Sequence, residues 1–121
     1  MKREIDILTT VECYALLSAC SSKAPTGIRN RALIVVLWRT CLRIKEALDL
    51  LPKDVSGDSI RVHSGKGDRA RTVGLDPEAS AVVWQWINKR KELGLKSSQR
   101  LFCTLKGEPI DTSYYRHLFK R

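Results

Sequence analysis

The sequence predicts an α+β fold, mostly helical, with a small antiparallel β-hairpin or three-stranded sheet at one edge. Three observations carry this reading. The stretch "IRNRALIVVLWRT" is apolar from Ala32 to Trp38 and basic at both ends, the pattern of a buried helix. Ile60 and Val62 alternate with Arg61 and His63, and Val73 and Leu75 answer them across a glycine-bearing tip, the pattern of a hairpin. Finally, "DPEASAVVWQWINKRKELG" places Asp76 as an N-cap, Pro77 at the first helical position and Gly94 as the stop.

The elements follow in order within one domain of 121 residues, long enough for a core of modest size. Residues 1–8 read as a linker-like start, and residues 9–51 as helices. Thr9, followed three residues later by Glu12, forms a capping box. Val11, Tyr14, Ala15, Leu17 and Cys20 supply the apolar face of a first helix. "SSKAPTG" reads as a loop punctuated by Pro25 and Gly27, ahead of the buried second helix. The chain turns around Thr40, Cys41 and Leu42, and "RIKEALDLL" starts a third helix that stops before Pro52. Residues 54–75 form the hairpin region and residues 76–94 the helix after it. Residues 101–121 hold a short strand "LFC", the turn "LKGEP" and a terminal helix capped by Asp111. Internal repeats and low-complexity tracts are absent from the sequence.

Composition narrows the function classes. With 43% hydrophobic residues, 7 glycines and 4 prolines the chain is globular rather than disordered. Its 22 Lys and Arg against 13 Asp and Glu leave a net charge of +9, which favours a polyanion partner, nucleic acid ahead of a membrane surface. No apolar run spans a bilayer and no signal-type segment follows Met1, so a cytoplasmic location and no membrane partner are expected. The four cysteines, Cys13, Cys20, Cys41 and Cys103, form no C-x-x-C pair and lie near no histidine at ligand spacing. Neither a metal site nor a cofactor is expected, and Cys13 and Cys20 read as small apolar groups on one inward helix face.

The stretch "HSGKGDRARTVGL" raises the chemical question, because it sets Lys66 between Gly65 and Gly67 and follows it with Arg69 and Arg71. The glycines permit a tight turn with positive φ, and the basic side chains then project where a phosphate can meet them. A nucleotide-binding phosphate loop does not fit: Ile60 stands where its first glycine is needed, and Gly67 occupies the Ser/Thr position. A glycine-flanked lysine is most often only a turn, and an arginine ahead of an apolar helix most often only solvated. His63 reads as an exposed hairpin residue able to touch phosphate, and His117 as a helix-surface residue. Trp38, Trp84 and Trp86 read as packing groups rather than base-stacking platforms.

Taken together, "RNRALIVVLWRTCLRIKEALDLLPKDV", "IRVHSGKGDRARTVGL" and "LF" resemble, in this order, the catalytic domain of the tyrosine recombinases, the phage integrase family. The family's first active-site motif, typically Thr-Gly-Leu-Arg-Ile-Ser-Glu, is matched by Thr40-Cys41-Leu42-Arg43-Ile44-Lys45-Glu46. Its hairpin lysine, in a Gly-Lys-Gly turn with basic residues after it, is matched by Gly65-Lys66-Gly67 with Arg69 and Arg71.

The resemblance implies a reaction in which a tyrosine attacks a DNA phosphodiester and forms a phosphotyrosine link without metal or cofactor. Charge develops on the nonbridging oxygens, so fixed guanidinium donors are needed there. Arg43 would be such a donor, placed where a helix begins and helped by that helix's N–H groups. Lys66 would be the general acid for the leaving 5′ oxygen. Glu46, three residues beyond Arg43 on the same face, would orient it. Lys45, Arg61, His63, Arg69 and Arg71 would meet double-stranded DNA.

The chain also departs from the family pattern. Cys41 stands where a glycine is usual, at a cost on the order of 1 kcal/mol if φ is positive there. Lys45 replaces a small polar residue. The His-x-x-Arg motif and the nucleophilic tyrosine have no counterpart in these 121 residues, and neither Tyr14, Tyr114 nor Tyr115 has the nucleophile's context. The expectation is a partial integrase-type catalytic domain over residues 1–121 that does not cleave alone and self-associates or pairs with the other half of the domain. The alternatives are a standalone, inactive DNA-binding module and a basic protein-interaction domain.

Overall fold

The computed structural model describes residues 10–63 and 70–114. Four helices, α1 (Thr10–Ala19), α2 (Pro25–Thr40), α3 (Ile44–Leu48) and α4 (Pro77–Leu93), accompany strands β1 (Val55–Ser56), β2 (Ser59–His63) and β3 (Ala70–Gly74). A 3₁₀ turn over Pro52–Asp54 leads from α3 into the sheet.

The apolar run of α2 explains its central place. From Gly27 to Leu37 all of its residues but Arg31 are buried, and it packs chiefly on α4, with α1 and α3 on its flanks. Leu33, Val36 and Leu37 of α2 join Val83, Trp86 and Ile87 of α4 in one core. Ile60 and Val62 of the sheet close it from a third side, with Leu101 and Phe102 beside them. Each fully buried aliphatic or aromatic side chain of this kind contributes about 1.5–3 kcal/mol. Trp86 satisfies its indole N–H on the Leu101 carbonyl at 2.7 Å, so the ring can be buried completely.

The sheet order is β1-β2-β3, antiparallel throughout. In the β2–β3 register Ile60 faces Val73, Arg61 faces Thr72, Val62 faces Arg71 and His63 faces Ala70. Residues directly opposite share a face, so Ile60, Val62, Arg71 and Val73 lie on the helix side, and Arg61, His63 and Thr72 on the outer side.

Several expectations hold as read. Asp76 caps α4 by accepting the Ala79 N–H, Pro77 is its first residue, and Gly94 ends it at φ 80°. Asp111 accepts the Ser113 N–H at the start of a helical turn over 112–114, and the rest of the expected terminal helix lies outside the described residues. Others need correction. Pro25 and Gly27 do not mark a loop: α2 already begins at Pro25, whose fixed φ suits a first helical turn. Gly27 sits inside the helix, and glycine is required there because a Cβ would collide with the backbone of Ser21. The third helix is shorter than the sequence suggests, ending at Leu48, with Pro52 already inside the 3₁₀ turn. "LFC" is no strand; Cys103 forms an isolated bridge to Pro109 that closes the turn at Gly107, where φ is 88°.

The buried face of α1 differs from the one its apolar residues suggest. Cys13 is buried with Leu16 and Leu17 partly so, whereas Val11 is 76% and Tyr14 51% exposed. A helix that packs on one neighbour buries only the stripe touching it, and here that neighbour is α2. Cys20 lies beyond the end of α1 and is half-buried, so it does not share a helix face with Cys13. The Thr9 cap falls outside the described residues.

Candidate active site

The site is built on the corner between α2 and α3. After Thr40 the helix is closed by Cys41 in the left-handed region (φ 59°, ψ 28°), whose N–H donates to the Leu37 carbonyl. Leu42 then enters the core completely. Its two neighbours, Cys41 and Arg43, are left on the surface. Arg43 is extended (φ −74°, ψ 150°) and immediately precedes α3. The burial of one leucine between two exposed residues thus sets the outward aim of the arginine.

Glu46 ties this corner to the sheet. Its Oε1 accepts the backbone N–H of Arg43 at 3.0 Å. The same carboxylate receives both terminal nitrogens of Arg71, at 3.2 and 3.3 Å, across 25 residues of sequence. Glu46 is only 20% exposed at its side chain, so the pair is partly shielded from solvent. The guanidinium of Arg43, by contrast, makes no hydrogen bond or ion pair among the described residues and stays exposed. Lys45 is exposed one residue further on.

The remaining basic residues divide between the two sheet faces. Arg61, on the outer face, donates to Thr72 Oγ1 at 3.3 Å and is otherwise exposed. His63, on the same face and 59% exposed, places Nε2 at 3.0 Å from Oδ1 of the buried Asp54. The other carboxylate oxygen of Asp54 accepts the Leu51 N–H at 2.9 Å, so the acid is held from two directions. Arg71 is on the opposite face, with Glu46. The structure therefore gathers Arg43, Glu46 and Arg71 at one corner and sets Arg61 and His63 apart from them. Lys66 and Arg69 lie outside the described residues, as does His117.

Two expectations about this corner change. α3 has five residues, so it offers little dipole to Arg43, and the N–H at its entry is already taken by Glu46. Glu46 meets Arg43 at the arginine's backbone N–H rather than at its fork. The sequence reading also missed Asp54 as the partner of His63. The sequence signals only the fold-back of Asp54 onto the Leu51 N–H, through its place three residues after Leu51 with Pro52 between them, and not the pairing with His63.

The three tryptophans are packing groups. Trp86 is in the core, Trp84 donates to the Gly57 carbonyl at 2.7 Å, and Trp38 meets Tyr14 edge-on at 5.1 Å. Burial pushes the thiols of Cys13, Cys20 and Cys103 above their ordinary value, which keeps them protonated and inert. Among the described residues no group of His, Cys, Asp and Glu is placed to hold a metal ion, and no helix is long and apolar enough to cross a membrane.

A helical core with a three-stranded antiparallel sheet is the architecture of tyrosine recombinase catalytic domains. The chain superposes on XerA recombinase with a TM-score of 0.76 at 28% identity, over 92% of this chain and 39% of that one. It is similar also to the XerH site-specific recombinase bound to difH substrate in a pre-cleavage complex, with a TM-score of 0.70 and 27% identity. That match covers 89% of this chain and 32% of the other. Tyrosine recombinase XerD of Ralstonia nicotianae is 29% identical over 118 residues, which span 94% of this chain and 38% of that relative. The chain belongs to the phage integrase family, whose pattern it matches over residues 6–121.

Proposed function

We propose that this chain supplies the phosphate-binding part of a site-specific tyrosine recombinase catalytic domain, and that it binds double-stranded DNA. The observation that carries the reading is Arg43: exposed, without a polar partner among the described residues, and fixed by Leu42 behind it and Glu46 beneath it. A guanidinium held outward in this way is a preorganised donor for a nonbridging phosphate oxygen. In the complete reaction Arg43 would stabilise the charge developing on that phosphate. Lys66 would give a proton to the leaving oxygen, as its counterpart does in the family. Arg61 and His63 would add contacts to the phosphate backbone from the outer face of the sheet, and Lys45 from beside the corner, with Arg69 as a further basic contact. Partner subunits or further segments of the catalytic domain would supply the nucleophile.

The test is duplex binding by fluorescence anisotropy across a salt series. Affinity is expected to fall steeply with salt, because phosphate contacts release condensed counterions. Arg43→Ala should weaken binding to unrelated sequences equally and reduce the salt slope by about one unit, with the melting temperature unchanged. A salt response that is flat in the unmodified chain overturns the DNA reading in favour of a protein-interaction domain.

A further inference from the structure

We propose that Arg71 is a positioning residue: its fork on Glu46 sets the aim of Arg43, and it is not itself a phosphate contact. The proposal rests on the DNA-binding reading above and deepens it at one corner.

The geometry makes the case in three steps. Arg71 faces the helix side of the sheet, directly opposite the buried Val62, whereas Arg61 and His63 face outward. Its two terminal nitrogens are both engaged by one carboxylate, Nη1 on Oε2 at 3.2 Å and Nη2 on Oε1 at 3.3 Å. Two parallel contacts between planar groups fix orientation as well as distance, which a single point charge cannot do. Finally, Oε1 is the same oxygen that accepts the Arg43 N–H at 3.0 Å. One carboxylate therefore joins the backbone of the candidate phosphate donor to a strand that is itself locked by its ladder to β2. If Arg71 lets go, Glu46 loses its two-point hold on the strand, and the acceptor of the Arg43 N–H is less firmly placed.

The alternative is that Arg71, 46% exposed at its side chain, leaves Glu46 when DNA arrives and neutralises a phosphate. Charge counting separates the two. Arg71→Lys keeps the charge and loses the fork, and is a mild change where folding is concerned. Salt slopes for a duplex probe would be measured for the unmodified chain, Arg71→Lys, Arg43→Ala and the double variant, with circular dichroism melts alongside. If Arg71 positions Arg43, Arg71→Lys reduces the slope by about one unit, and adding Arg43→Ala to it changes nothing further. Arg71→Lys retaining the full slope overturns the proposal, since the charge alone then suffices. Arg71→Gln provides the second reading. Combined with Arg43→Ala it should again lose about one unit in total, and a loss of about two, one for each arginine, also overturns it. A flat slope in the unmodified chain is a different failure, that of the DNA reading itself.

Discussion

At the scale of single residues, Cys41 is the clearest departure from what the backbone asks. It is the one non-glycine with positive φ among the described residues, at φ 59°. An L-residue with a Cβ in this region costs about 1–2 kcal/mol, and the family's usual glycine at the position has no such cost. Cys41→Gly relieves that strain but frees the unfolded chain by about 0.4–1 kcal/mol. The net expectation is a gain of about 0.5–1 kcal/mol, read as a higher denaturant midpoint at unchanged m-value. Cys41→Ala keeps the Cβ and should give no such gain. The side chain is exposed, so no lost packing competes with the effect. Arg43 is a contrasting case, a residue whose surroundings suit its expected work: a fixed backbone, an anchored neighbour and an open fork.

At the scale of elements, the entry to α2 is held by contact rather than by capping. Ala24, ahead of Pro25, offers no side-chain cap, and the preceding turn is instead closed by Ser21, whose Oγ accepts the N–H groups of Lys23 and Ala24 at 3.0 and 2.9 Å. Gly27 lies against that same serine, with no room for a Cβ beside its backbone. Gly27→Ala should therefore destabilise, although alanine is the better helix former by about 1 kcal/mol. Overpacking against backbone costs about 1–3 kcal/mol, so a net loss on the order of 1 kcal/mol is expected in chemical denaturation. A stabilised variant would mean that the turn shifts freely and that α2 is not braced there. The far end of α4 is secured differently: Arg90, 3% exposed, uses one terminal nitrogen to hold the carbonyls of Lys96, Gln99 and Arg100, each at 3.1 Å. That arginine fixes the loop leading to Leu101 and Phe102, and nothing in its local sequence distinguishes it from the basic residues around it.

At the scale of the whole molecule, buried thiols link stability to pH. Burial raises Cys13, Cys20 and Cys103 above the ordinary thiol value of 9.0, with Arg31 and Arg90 partly offsetting the rise at Cys20 and Cys103. Above that value the unfolded chain has released protons that the folded chain still holds. The stabilising contribution is therefore complete below about pH 9 and is lost as pH rises through the folded values. In reducing buffer, denaturant midpoints should fall as pH rises above about 9, and the fall should be shallower in a Cys13→Ala, Cys103→Ala double variant. Equal slopes would show that these thiols titrate alike in both states. The frame of the molecule was legible in the sequence because its signals are local: Asp76, Pro77 and Gly94 bound α4, and Ile60 to His63 alternate as a strand must. The corner at Arg43 was legible through its resemblance to a family motif. The pairing of Glu46 with Arg71 and of Asp54 with His63 was not, because contacts across 25 and 9 residues depend on strand register, which no single stretch encodes. The α1 face was misread because its periodicity fits two faces, and only the position of α2 selects between them.

That register has a second witness. A slip of β3 by one residue along β2 would carry Arg71 to the outer face, leaving Glu46 without its fork, and would turn Val73 from the core side to water with it. The ion pair and the apolar stripe thus record the same alignment in two independent currencies, charge and hydration. A mispaired hairpin fails both tests together, so the corner that aims Arg43 also serves as a proofreading mark for the sheet beside it.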